Sequence, residues 1–123
     1  MNLIDTIKSI TNDEVLGYYR ATLSQIGIDK IIAALNNDPG IAAVPVADYD
    51  AIFVSFRPIV VGKRHYGFIF NDNAPSRRRR WGSFAQGTDV TISTVMDIVV
   101  PGLDIKLINT RNTRYLAIEC VEE

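Results

Sequence analysis

The chain has 123 residues, 47% of them apolar and 22% charged, a composition that suits a single globular domain and is too apolar for intrinsic disorder. Its formal net charge of −1 argues against a general nucleic-acid coat protein, which is more often basic overall. One cysteine and one histidine leave no intramolecular disulfide and too few ligands for a tetrahedral zinc site of the usual kind within one chain, and no run reaches the roughly 18–20 apolar residues of a membrane span.

The first third reads as helical. Leu3, Ile4, Ile7 and Ile10 recur at the spacing that lines one face of a helix. Thr11-Asn12-Asp13-Glu14 has the form of a capping box. It predicts a second helix from about Asn12 to Ile26, ended by Gly27. Asp29 is placed to cap a third, short helix carrying Ile31, Ile32 and Leu35, and the polar stretch from Asn36 to Gly40 is a stop. Residues 41–50 read as a connector.

From Ile52 onward the apolar period falls to two. Ile52, Val54 and Phe56 mark one strand, and Tyr66, Phe68 and Phe70 mark the next. Gly62-Lys63-Arg64 between them is short enough for a hairpin. Asn71 to Ser76 is a loop, and Gln86-Gly87-Thr88-Asp89 reads as the turn of a second hairpin. Thr88 to Val100 is strand-rich, Pro101-Gly102 is a turn, and two further strands, Leu103–Ile108 and Tyr115–Val121, flank a polar tip. The expected fold class is α+β, a single domain over residues 1–123 in which N-terminal helices (1–40) pack on a small antiparallel β-sheet or partial barrel (51–123).

Charge is unevenly spread. Residues 1–50 hold three basic and seven acidic side chains, whereas residues 51–123 hold ten basic and seven acidic. The sharpest local feature is Arg77-Arg78-Arg79-Arg80, running into Trp81-Gly82-Ser83-Phe84. No core accepts four guanidinium groups, so some must face solvent, acidic side chains or a bound anion. Arg offers a planar fork of donors that matches phosphate oxygens, and Trp81 and Phe84 add faces on which a base stacks. The plainer alternatives are a solvated, salt-bridged loop for the arginines and a core or interface anchor for Trp81. A second basic stretch, Arg111 to Arg114 with Thr113, sits on a predicted hairpin tip, where it offers charge and hydroxyl donors to the same kind of ligand or is simply solvated. His65 has no nucleophile and orienting carboxylate arranged with it in sequence, and Cys120 falls in a predicted strand as a small apolar residue. No Gly-rich phosphate loop or nucleophile elbow is present, so an enzyme is not expected, and neither a catalytic residue nor a cofactor is assigned.

Trp81, Gly82, Phe84, Gly87, Val90, Ser93 and Val95, followed by Thr110-Arg111-Asn112-Thr113 and Tyr115, give the C-terminal third a resemblance. It is similar to the phage Thoeris anti-defence sponges, which sequester cyclic ADP-ribose signals. The resemblance covers about 35 residues, and neither the helical N-terminal third nor the four-arginine run belongs to it. It implies an oligomeric binder that traps a nucleotide messenger without cleaving it, with Arg111 and Thr113 as ligand contacts and Phe84 as a stacking residue.

Together these observations lead to an expected ligand-binding set of Arg77, Arg78, Arg79, Arg80, Trp81, Phe84, Arg111, Thr113 and Arg114. The expected partner is a small phosphorylated ligand, held by a homo-oligomer without membrane or nucleic acid. The expected location is a reducing cytoplasm, that of the host if the chain is phage-encoded, since Met1 to Asp5 lacks a secretory start. The competing expectation is a phage structural or inhibitor protein that docks on an acidic partner through the Arg/Trp surface. Binding of RNA or single-stranded DNA by the β face is a third.

Overall fold

A computed structural model describes residues 3–16, 22–45, 48–72, 85–100, 105–111 and 113–120. The fold is α+β, with three helices followed by a six-stranded sheet. Helix α1 spans Leu3–Glu14, a two-residue pair β1 (Val15–Leu16) and β2 (Thr22–Leu23) follows, then α2 (Gln25–Asn36) and the short α3 (Pro39–Ala42). The strands are β3 (Ala51–Ser55), β4 (Tyr66–Phe70), β5 (Thr88–Thr91), β6 (Val95–Val99), β7 (Lys106–Thr110) and β8 (Arg114–Glu119).

The helix from Asn12 to Ile26 does not form. Helix α1 runs through the predicted capping box to Glu14, and the next helix starts at Gln25. Two local forces explain the shift. A helix over 12–26 has to carry Gly17, at about 1 kcal/mol relative to Ala, together with β-branched and aromatic residues. Ser24 supplies a competing start: its backbone is extended and its Oγ accepts the Gly27 N–H at 3.1 Å. Gly27 therefore lies buried in the first turn of α2 rather than ending a helix. Asp29, expected as a cap, accepts from Gln25 inside that helix at 2.9 Å. The stop at Asn36 is where α2 ends, and Asp38 caps α3 by accepting from the Ile41 N–H at 2.9 Å, with Pro39 at the first helical position.

The sheet order is β5-β4-β3-β8-β7-β6. Neighbours are antiparallel except β3 and β8, which run parallel with Ala51 opposite Tyr115 and Ser55 opposite Glu119. The two central strands are thus the first and last strands of the sheet in chain order. The link between β3 and β4 is longer than a tight hairpin, covering residues 56–65, with a turn at Val60–Lys63 in which Gly62 has φ +90°.

Strands β5 and β6 lie at opposite edges of the sheet, yet only residues 92–94 join them. Six flat strands would place those edges about 24 Å apart. Four Cα–Cα steps reach at most about 14 Å. The sheet must therefore coil, and the turn before β4 bridges the remaining gap. Gly62 donates to the Val95 carbonyl at 2.8 Å, Val95 donates to Lys63 at 3.0 Å, and Ile92 donates to His65 at 2.9 Å. His65 stabilises that turn as well, with its Nε2 3.0 Å from the Val60 amide nitrogen.

Both faces of the coil are filled. The inner face holds Phe53, Ile69, Ile92, Ile108, Tyr115 and Ala117, with the Phe53 and Tyr115 rings 5.9 Å apart. The outer face presents Ile52, Val54, Phe68, Phe70, Leu116 and Ile118 to Leu3, Ile7, Ile31, Leu35 and Ile41 of the helices. Period-two alternation in the strands and the helical stripe of α1 and α2 meet in this layer. Each fully buried aliphatic or aromatic side chain there contributes about 1.5–3 kcal/mol. All five residues of β3 are buried, because the inner cluster packs on one of its faces and the helices on the other.

Gly67 is set by this packing. A Cβ there would stand 2.3 Å from the Val54 carbonyl oxygen and 2.7 Å from the Phe53 ring. Gly62, by contrast, has open space around it and needs only its positive φ. Gly67→Ala is expected to lower unfolding free energy by about 3 kcal/mol. Gly62→Ala should cost about 1 kcal/mol. Urea denaturation midpoints of the two variants check the order.

Cys120 is buried, and its N–H donates to the Ser55 carbonyl at 2.6 Å. Burial pushes the thiol up to about 12, with Lys8 pulling weakly the other way. Native protein should resist thiol reagents that modify it fully in denaturant. The folded state keeps its proton where the unfolded thiol, near about 8.5, has lost it. The stabilisation is complete below that unfolded value and is lost as pH rises through about 12. Cys120→Ala should flatten this part of the alkaline stability curve, as measured by denaturation at stepped pH.

Candidate functional site

The strand directions place several chain segments at one end of the sheet. Strands β3, β5, β6 and β8 begin there, and β4 and β7 end there. The β7–β8 tip, with Arg111, Thr113 and Arg114, is at this end. So are Asp72 and Ala85, between which residues 73–84 run. Arg77, Arg78, Arg79, Arg80, Trp81 and Phe84 lie outside the described residues.

The flanks of that segment are held together. Asn71 takes a left-handed backbone conformation, φ 51°, as β4 ends. Its N–H donates to Gln86 Oε1 at 2.6 Å, and Gln86 Nε2 donates back to Asn71 Oδ1 at 2.7 Å. Gly87 donates to the Ile69 carbonyl at 2.8 Å, and Thr88 Oγ1 donates to Ala85 at 2.7 Å. The stretch expected to be the turn of a hairpin, Gln86 to Asp89, is therefore the return leg into β5. Gly87 has φ +76°, and a Cβ on it would lie 2.5 Å from Ile28 of α2, so the leg is pressed against the helical layer.

The β7–β8 tip is closed by two threonines. The Thr110 N–H donates to the Thr113 carbonyl at 2.9 Å, as does the Thr110 hydroxyl, which also accepts the Thr113 N–H at 3.2 Å. Thr113 is buried and its backbone is committed to this turn, whereas Arg111 is exposed. Arg114 is anchored by Asp50. The Asp50 carboxylate accepts the Arg114 N–H at 3.0 Å, its other oxygen lies 3.7 Å from the guanidinium, and the Asp50 N–H donates to the Arg114 carbonyl at 2.8 Å. Asp50 is 3% exposed, while the Arg114 side chain is 47% exposed. Next to it Tyr49 is buried, and desolvation raises its phenol above the ordinary value.

Asp50 is a site residue that sequence reasoning did not assign, because nothing local places it beside residue 114. The Asn71–Gln86 pair escaped for the same reason. His65 is placed before β4 and thus at the opposite end of the sheet, engaged with Val60. Glu119 is at that far end too, pairing with Lys106 at 2.7 Å and accepting the Ile59 N–H at 2.5 Å. Among the described residues no group of three or more His, Cys, Asp or Glu side chains is placed to hold a metal ion, and no helix is long and apolar enough to cross a membrane.

No family model matches the chain, and neither a curated protein nor a solved structure does.

Asp50 and Arg114 are unequal partners. Removing the buried carboxylate leaves a backbone donor without its acceptor, which costs about 1–3 kcal/mol. Removing the half-exposed guanidinium loses a solvent-screened pair worth under about 1 kcal/mol. Asp50→Ala is therefore expected to destabilise the fold more than Arg114→Ala, as compared by chemical denaturation.

Proposed function

We propose that this chain is a non-catalytic binder of a small phosphorylated ligand, a nucleotide carrying a cyclic phosphate or diphosphate, gripped at the arginine-bearing end of the sheet. The observation that carries this reading is the arrangement of the anchors. The segment with Arg77 to Arg80 departs from and returns to the same sheet end that carries Arg111 and Arg114. The two loops are about three strand spacings apart, or about 14 Å along the sheet. That span suits a ligand of nucleotide size contacted from both sides.

Phosphate is the favoured group on chemical grounds. Guanidinium forks on opposite sides of a ligand neutralise a fixed negative charge through charge-assisted hydrogen bonds, and Trp81 and Phe84 supply stacking at about 1–3 kcal/mol per base. The clamp of Asn71 on Gln86 fixes the two anchors of that segment relative to each other, so their ordering is not a cost of binding. Sequestration of a nucleotide messenger, as the resemblance to the Thoeris anti-defence sponges implies, is the biological form of this proposal. It places the protein in the host cytoplasm as a phage anti-defence factor, working as a homo-oligomer.

Thermal unfolding in the presence of cyclic ADP-ribose, cyclic dinucleotides and 3′,5′-cyclic nucleotides tests the reading. A stabilising ligand at a hundred times its Kd should add about 2.7 kcal/mol. Ala in place of Arg77 to Arg80, or Arg111→Glu, should abolish the shift, and Gln86→Ala should weaken it while leaving every arginine in place. The bound nucleotide should be recovered intact on heating. Absence of any shift across the panel, or recovery of a cleaved product, refutes the proposal.

A further inference from the structure

The described residues include seven large apolar side chains exposed to solvent, and five of them are on β6, at the residue that follows it and in the turn beside it: Met96, Val99, Val100, Val60 and Val61. Their exposures run from 45% to 60%. The turn and the strand are adjoining, because Gly62 and Lys63 both hydrogen-bond to Val95. Single exposed apolar residues are ordinary, but a clustered group of this kind marks a contact surface.

The backbone narrows the choice of what covers it. Strand β6 is the last in the sheet and pairs only with β7. Beyond Val95, its outer edge receives no backbone hydrogen bond from the described residues. A lipid surface covers valines but leaves strand N–H and C=O groups unmatched, and those groups are costly to desolvate. The occupant that satisfies both requirements is another strand.

We infer that this strand is β6 of a second copy, added antiparallel about a two-fold axis at Ile98. In that register Met96 meets Val100 of the second copy, Ile98 meets Ile98, and Asp97 meets Val99. Asp97 is the one charged residue of β6, so the register sets each carboxylate against an apolar residue and avoids opposing the two like charges. The irregularity between Val95 and Asp97, together with the turn already bonded to Val95, ends the regular pairing there. Val60 and Val61 then flank the end of the incoming strand. A two-fold pairing closes on itself and consumes the open edge, where a head-to-tail contact would keep adding copies. This inference is independent of the ligand reading, since β6 and the turn carry none of the proposed phosphate contacts.

Size-exclusion chromatography with light scattering on the full chain should give twice the 13.7 kDa chain mass at high micromolar concentration. The register sets the decisive comparison. Val99→Glu opposes a carboxylate to Asp97 at two symmetric places and should weaken the dimer about tenfold. Val99→Lys at the same position faces Asp97 with a cation and should keep the dimer, now sensitive to salt. Hydrogen exchange of the wild-type amides from Asp97 to Val100 should slow as protein concentration rises, which gives a reading independent of any variant. A monomer at high concentration overturns the inference, as does equal dissociation by the Glu and Lys variants, concentration-independent exchange at β6, or assembly that continues beyond two copies.

Discussion

Three residues, 92–94, join strands that stand at opposite edges of the sheet, and this short link governs much of the architecture. A flat sheet cannot meet it. The coil that results creates an inner face, and that face is packed with Phe53, Ile69, Ile108 and Tyr115. It requires Gly67, because Phe53 and the Val54 carbonyl occupy the space where a side chain would go. It also recruits the turn at Val60–Lys63 to bond with Val95 across the gap. With the interior full and the helices covering much of the outer face, the ends and rims of the sheet are left for recognition.

At the arginine-bearing end, the strongest placement comes from an acid. Asp50 is nearly inaccessible and spends its carboxylate on the Arg114 backbone and side chain. The parallel alignment of β3 and β8 begins at that contact. The same interaction that starts the central ladder therefore sets where Arg114 projects. Arg111 is exposed on the tip, whereas Arg114 is already partly matched by Asp50. The two arginines are not equivalent, although they stand three residues apart.

Much of the fold was legible because it rests on local pattern. Alternation identified β3 and β4, turn residues around a polar tip marked β7 and β8, and the apolar stripes of α1 and α2 marked the faces that meet the sheet. The misread stretch, 12–26, shows a capping box outcompeted by Ser24, a choice that side-chain spacing alone does not decide. The parallel partnership of β3 with β8 was hidden for a different reason. It joins residues more than sixty positions apart, and adjacent-strand reasoning yields only antiparallel neighbours. Of the site, Arg111 and Arg114 were read from composition at a hairpin tip. Their buried anchor and the Asn71–Gln86 clamp were not, since a carboxylate or an amide reveals its partner only once the chain is folded.

The position of β8 has a consequence for biogenesis. It lies between β3 and β7, yet it follows both in the chain. As the polypeptide emerges from a ribosome, β3 and β4 can pair early, but the gap between β3 and β7 stays open until residue 119 has cleared the exit tunnel. For that interval Ile52, Phe53 and Val54 have an unmatched flank, and the nascent chain must avoid foreign strands at the very place β8 will occupy.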